Sequence, residues 1–213
     1  LADDEGSDRV KVAVLELLNR KYGIVEEDFI SAELCAVPAF RASDIGFDRS
    51  MIGAYGHDDR VCAYAAQKAM FDETSPEHTV MVVLVDKEEI GSVGATGMAS
   101  HYLENTVAEL YACTADYCEL AVRRCLRNSR MLSSDVSAGF DPNFASAFEA
   151  KNSAFLGRGI CFNKFTGSRG KSGSNDANPE FMASLRKIMD DEGVAFQTAE
   201  LGRVDLGGGG TIA

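Results

Sequence analysis

Two adjacent carboxylates, Glu88 and Glu89, follow directly on the apolar run Thr79-Val80-Met81-Val82-Val83-Leu84-Val85. Two more acids have comparable settings. Asp58 stands at the start of a helical pattern, and Asp135 follows the end of another strand pattern in Leu132-Ser133-Ser134-Asp135-Val136. Open α/β sheets bind their ligands beyond the carboxyl ends of the strands, so three separated acids can converge on one rim. Like charges a few ångströms apart repel, and such convergence calls for a cation. Hard oxygen donors together with histidine suit zinc, manganese or cobalt. Two ions ~3.5–4 Å apart need a shared carboxylate, and a further carboxylate must then take a proton from the attacking water. Adjacent glutamates divide these roles, one as ligand and one as base, if the backbone there is not regular strand. Each acid also has a plain structural reading: Asp58 as a helix cap, Asp135 as a turn residue, Glu88-Glu89 as a solvated loop.

The elements that must position these groups are read from periodicity. Ser7 to about Tyr22 is a helix stopped by Gly23, with Val10, Val14, Leu17 and Leu18 on one face. Residues 29 to 37 read as a strand ended by Pro38, residues 40 to 57 as loop, and residues 58 to about 72 as helix. The β-branched run 79 to 85 is expected to be a strand covered on both faces in a parallel sheet. A small-residue loop at 91 to 97 leads into a long helical stretch, roughly 98 to 130. A short strand at 131 to 138, a short helix at 143 to 151 and a strand at 159 to 164 follow. Beyond a polar loop at 166 to 175, Asn178-Pro179 opens a helix to about Asp191, and 194 to 201 is a last strand. Alternating strands and helices, without internal repeats, predict an α/β three-layer sandwich with a mixed, largely parallel central sheet.

The bulk numbers narrow the function. The chain has 213 residues, 46% hydrophobic and 25% charged, as in a globular domain. Its net charge of -12 argues against a nucleic-acid partner. No apolar run approaches the length of a membrane span, and the acidic start lacks a secretory-signal pattern. The six cysteines form no C-x-x-C pair, which fits reduced thiols in a cytoplasmic protein. No H-E-x-x-H motif exists among the three histidines, excluding a one-zinc protease of that type. The absence of an initial Met and the closing Gly-rich run lead us to expect a chain cut at both ends, or a processed one.

Three ordered segments resemble the aspartyl aminopeptidase and vacuolar aminopeptidase I family of co-catalytic zinc peptidases. They are Gly56-His57-Asp58-Asp59-Arg60-Val61-Cys62, Val85-Asp86-Lys87-Glu88-Glu89-Ile90-Gly91-Ser92 and Ser133-Ser134-Asp135-Val136-Ser137. The resemblance implies that Asp58 bridges two zinc ions, that Glu89 binds one and Asp135 the other, and that Glu88 is the general base. It implies further that Lys171 and the Gly209/Thr211 turn lie beside a peptide substrate, and that acidic first residues are preferred. A dimer-based homo-oligomer, up to a dodecamer, is also implied. The family's early H-x-D motif, its late histidine ligand and most of its inserted dimerisation domain do not lie in this chain. The competing reading is therefore a fragment or pseudoenzyme acting as a structural subunit.

Overall fold

The computed structural model describes residues 8–164 and 177–200, and the chain divides into two units between Tyr55 and Gly56. In the first unit, α1 (Arg9–Tyr22) ends at Gly23, whose φ of 74° only glycine adopts without strain and whose N–H donates to the Asn19 carbonyl at 2.8 Å. Lys11 on this helix pairs with Glu26. The strand expected at 29 to 37 does not form. Glu26–Ile30 is instead a 3₁₀ turn, opened by the Asp28 carboxylate accepting from the Val25 N–H at 2.8 Å, and no ladder includes residues 31 to 42. The stretch expected to be loop contains a small antiparallel hairpin, β1 (Ser43–Ile45) with β2 (Met51–Gly53), turned at Gly46 (φ 91°), where the Asp48 carboxylate accepts from Ser50 N–H at 3.2 Å.

The second unit opens with α2 (His57–Asp72) and continues through α3 (Tyr102–Ala112), α4 (Glu119–Asn128), β3 (Ile160–Asn163), α5 (Pro179–Asp191) and β4 (Phe196–Ala199). The helix expected over 98 to 130 is thus two, α3 and α4, which pack on each other across a turn at 113 to 118. That turn contains neither Gly nor Pro. Thr114 bends it by donating from its hydroxyl to the Tyr111 carbonyl at 3.0 Å, a local bond that competes with the helix ladder. At α5 the sequence signals act as expected: Pro179 occupies the first turn, and the Asn178 side chain accepts from the Phe181 N–H at 2.9 Å.

β3 and β4 pair in parallel, Ile160 opposite Phe196 through Asn163 opposite Ala199, and α5 lies between them in sequence. This βαβ unit is the α/β signature of the chain. It is extended by Phe140 N–H donating to the Ala154 carbonyl and by Glu200 N–H donating to the Asn152 carbonyl, both at 2.7 Å. Gln197 holds the same edge, its side-chain amide accepting from Phe155 N–H (2.9 Å) and donating to the carbonyls of Phe155 (3.0 Å) and Gly159 (3.2 Å). Ala154, Leu185 and Ala199 are buried here, and Phe140 meets Phe148 and Phe155 at centroid distances of 5.6 and 5.4 Å.

Two further expected strands are absent among the described residues. Residues 79 to 85 and 131 to 138 belong to no ladder, and the sheets among the described residues are two-stranded. The apolar run is largely exposed rather than covered on both faces, with Val83 38% and Leu84 61% exposed and only Val82 partly buried. Hydrophobicity marks such a run as strand-like, but a strand exists only when a neighbour takes its N–H and C=O groups, and no described segment does so. No helix among the described residues is long and apolar enough to cross a membrane.

Candidate metal centre

The first acid of interest stands where a helix has not quite begun. Gly56, at φ 70°, precedes α2, and Asp58 and Asp59 keep non-helical backbone angles, so regular helix starts at Arg60. The Asp58–Asp59 peptide is cis. Both carboxylates lie at the positive end of the helix, where the free N–H groups favour negative charge.

Asp135 comes from the segment before the Gly139–Ala154 bridge. One oxygen from each of Asp58, Asp59 and Asp135 lies within 4.8 Å of the others. The Asp135 carboxyl is pushed above its ordinary range, by burial first and then by the charges of Asp59, Asp58 and Glu88, against a lowering hydrogen bond from Val136 N–H at 2.7 Å. Glu88 therefore stands close enough for its charge to be felt at this cluster.

Glu88–Ile90 is a 3₁₀ turn set up by Lys87 at φ 67° and closed by Gly91 N–H donating to the Glu88 carbonyl at 2.8 Å. Successive side chains of such a turn point roughly 120° apart, which lets the two glutamates serve different partners. The loop beyond folds back tightly. Ser92 is 1% exposed, its N–H donates to the Lys87 carbonyl and its carbonyl accepts from Ala99 N–H. Thr96 donates to Asp86 at 2.6 Å. Gly97 passes so close to this bend that a Cβ there would sit 2.1 Å from the Ser92 carbonyl oxygen.

Of the acids singled out in the sequence, the structure brings Asp58 and Asp135 together, with Glu88 acting on Asp135; Glu89 is not part of the 4.8 Å group. Lys171, Gly209 and Thr211 lie outside the described residues. Asp59 went unnoticed in the sequence. The signal was present, a second acidic doublet in Asp58-Asp59 like Glu88-Glu89, but only the first member was singled out.

The donor set fits a divalent cation. Asp59 Oδ1 is buried and has no hydrogen-bond partner, and an unpartnered carboxylate oxygen beside two further carboxylates is relieved by a cation or by protonation of one of them. Carboxylate oxygens are hard donors of the kind that hold divalent cations. Behind the acids lies the Cys62 thiol, pushed up to about 11 by burial and then by Asp59, with Ser134 opposing.

A cluster of helix-end and loop carboxylates, with Glu88 near enough for its charge to reach it, gives this α/β chain a candidate divalent-cation site. The chain belongs to the aminopeptidase I zinc metalloprotease (M18) family, whose sequence profile it matches over residues 1–213. It is 59% identical over 213 residues to a probable M18 family aminopeptidase 1 of Clostridium acetobutylicum, covering 100% of this chain and 46% of that protein. A relative of the same description from Thermotoga maritima is 46% identical over 210 residues, covering 98% of this chain and 46% of its own. The fold is similar to the crystal structure of aminopeptidase I from Clostridium acetobutylicum, with a TM-score of 0.83, 57% identity, and 99% of this chain aligned with 45% of that one. For the M18-family aminopeptidase structure from Thermotoga maritima the TM-score is 0.86 at 43% identity, with 100% of this chain and 47% of that chain covered. The chain spans about half the length of the relatives it matches.

Proposed function

We propose that the protein is a metal-dependent aminopeptidase that hydrolyses the N-terminal residue of peptides, and that this chain carries most of its acidic machinery. The observation that supports this reading most directly is the meeting of Asp58 and Asp135, 77 positions apart in sequence, within 4.8 Å and under the influence of Glu88. Asp58, Glu89 and Asp135 would hold the zinc, Asp58 as the ligand common to two ions, Glu89 as a ligand of one and Asp135 of the other. Zinc, when bound, lowers the pKa of water and polarises the scissile carbonyl. Glu88 takes the water proton and returns it to the leaving amine. Lys171 and the turn at Gly209 and Thr211 line the substrate side, and acidic first residues are the favoured substrates. The architecture is a three-layer sandwich with a mixed, largely parallel sheet, and the cytoplasmic enzyme works as a dimer-based homo-oligomer.

The test is cleavage of Asp-, Glu- and Leu-linked chromogenic substrates with zinc, cobalt or manganese added, alongside metal analysis. Glu88→Gln is expected to lower kcat by about 10²–10⁴-fold while metal content stays unchanged. Hydrolysis undiminished in that variant refutes the assignment of Glu88. A protein that neither cleaves these substrates nor retains metal is a structural subunit.

A further inference from the structure

The glutamate pair rides on a bend whose backbone is under strain. Lys87 and Ser92, on either side of it, hold φ at 67° and 58°, values unfavourable for a residue with a Cβ. Such angles persist only where surrounding contacts fix them. Backbone bonds fix part of the bend: Ser92 N–H donates to the Lys87 carbonyl at 2.8 Å, and the Ser92 carbonyl accepts from Ala99 N–H at 3.0 Å. A side-chain bond closes its mouth. The Thr96 hydroxyl donates to Asp86 Oδ1 at 2.6 Å, across ten positions of chain. Asp86 directly precedes Lys87, and Thr96 directly precedes Gly97, which lies hard against the Ser92 carbonyl. The bond therefore joins the two stems from which Glu88 and Glu89 project. Neither Asp86 nor Thr96 has a part in the reaction described above.

We propose that Asp86 and Thr96 are positioning residues: their hydrogen bond clasps the stems of the 86–97 loop and so fixes the direction in which Glu88 and Glu89 are presented to the metal centre. The inference rests on the reading of Glu89 as a ligand and Glu88 as the base. The length of the bond is that of a charge-assisted O–H to carboxylate contact, about twice as strong as a neutral one. Without the clasp, Lys87 and Ser92 relax toward negative φ, and the 3₁₀ turn between them swings with both carboxylates. Groups that orient metal ligands from behind typically change affinity about 10–100-fold when removed.

The experiment is a cobalt(II) titration of the whole protein, read by its visible absorption, on wild type, Thr96→Val, Thr96→Ser, Asp86→Ala, the double variant Thr96→Val/Asp86→Ala, and Glu89→Gln. Unfolding midpoints are measured in chelator. Thr96→Val and Asp86→Ala are each expected to weaken cobalt binding at least about tenfold and to shift the absorption band, with Thr96→Ser keeping affinity within about threefold of wild type. The double variant is expected to bind no worse than the weaker single one, because both changes remove the same bond. Wild-type affinity in Thr96→Val or in Asp86→Ala overturns the clasp, as do additive losses in the double variant or failure of Thr96→Ser to bind. So does a loss of affinity that merely follows a fall in the chelator midpoint. If Glu89→Gln binds cobalt like wild type, the assignment of Glu89 falls and the clasp with it; if Glu89→Gln alone loses binding, only the clasp falls.

Discussion

Replacing Asp135 by Asn should move stability in opposite directions with and without metal. The exchange keeps an acceptor for Val136 N–H, now 2.7 Å from Asp135 Oδ1, and removes one charge. Asp135 faces Asp58 and Asp59 at no more than 4.8 Å. At that distance each like-charge pair repels by roughly 0.9 kcal/mol in a water-like medium and roughly 3.5 at an effective dielectric of 20. Asp58 and Asp135 are exposed, so the lower figure governs, and salt trims it further. The metal-free variant is therefore expected to be more stable than wild type by about 1 kcal/mol, a rise of roughly 0.5 M in the urea midpoint. The gain has a pH signature. The native state holds the Asp135 proton more tightly than the unfolded chain does, because its carboxyl is raised by burial and then by Asp59, Asp58 and Glu88. Metal-free wild type thus loses stability as pH rises through that raised titration, and the variant's advantage appears only above it. With zinc the order reverses, since each tenfold loss in affinity removes about 1.4 kcal/mol of ligand stabilisation. Urea unfolding at pH 5 and pH 8, in chelator and in zinc, decides the matter. A variant destabilised under every condition, or equally stabilised by zinc, refutes the compensated-charge account.

The loop that presents the glutamate pair gives a second expectation. Gly97→Ala places a methyl group 2.1 Å from the Ser92 carbonyl oxygen, so the bend must open. A loss of roughly 1–3 kcal/mol in chemical denaturation is expected, with metal affinity falling if Glu89 is a ligand. A third concerns the edge of the βαβ unit. Gln197→Ala leaves the Phe155 amide and carbonyl without their side-chain partners and is expected to destabilise the protein by about 1–3 kcal/mol, with little change in cobalt affinity.

Helices were the legible part of this sequence. α1, α2 and α5 follow from apolar spacing, from Gly23 as a stop and from Asn178-Pro179 as a start. These signals are local, and local chemistry is enough to make a helix. β3 and β4 were also legible, because each found the other in parallel register. Residues 29 to 37, 79 to 85 and 131 to 138 carry equally strand-like composition but lack a partner ladder among the described residues, and composition does not encode the partner. The hairpin of β1 and β2 escaped notice because its strands are three residues each and largely polar or exposed. The split between α3 and α4 escaped because a hydroxyl-to-carbonyl bond at Thr114, without Gly or Pro, marks it. At the metal centre, Asp58, Glu88 and Asp135 could be picked out as acids at element ends. Asp59 could not be separated from an ordinary first-turn acid until its buried, unpartnered oxygen was seen.

Gln197 has one more consequence. Sheet edges recruit foreign strands through open amide and carbonyl groups. At Phe155 both are already engaged by a single side-chain carboxamide from β4. Any further strand seeking to pair at Phe155 would have to displace that amide before it gained its first rung.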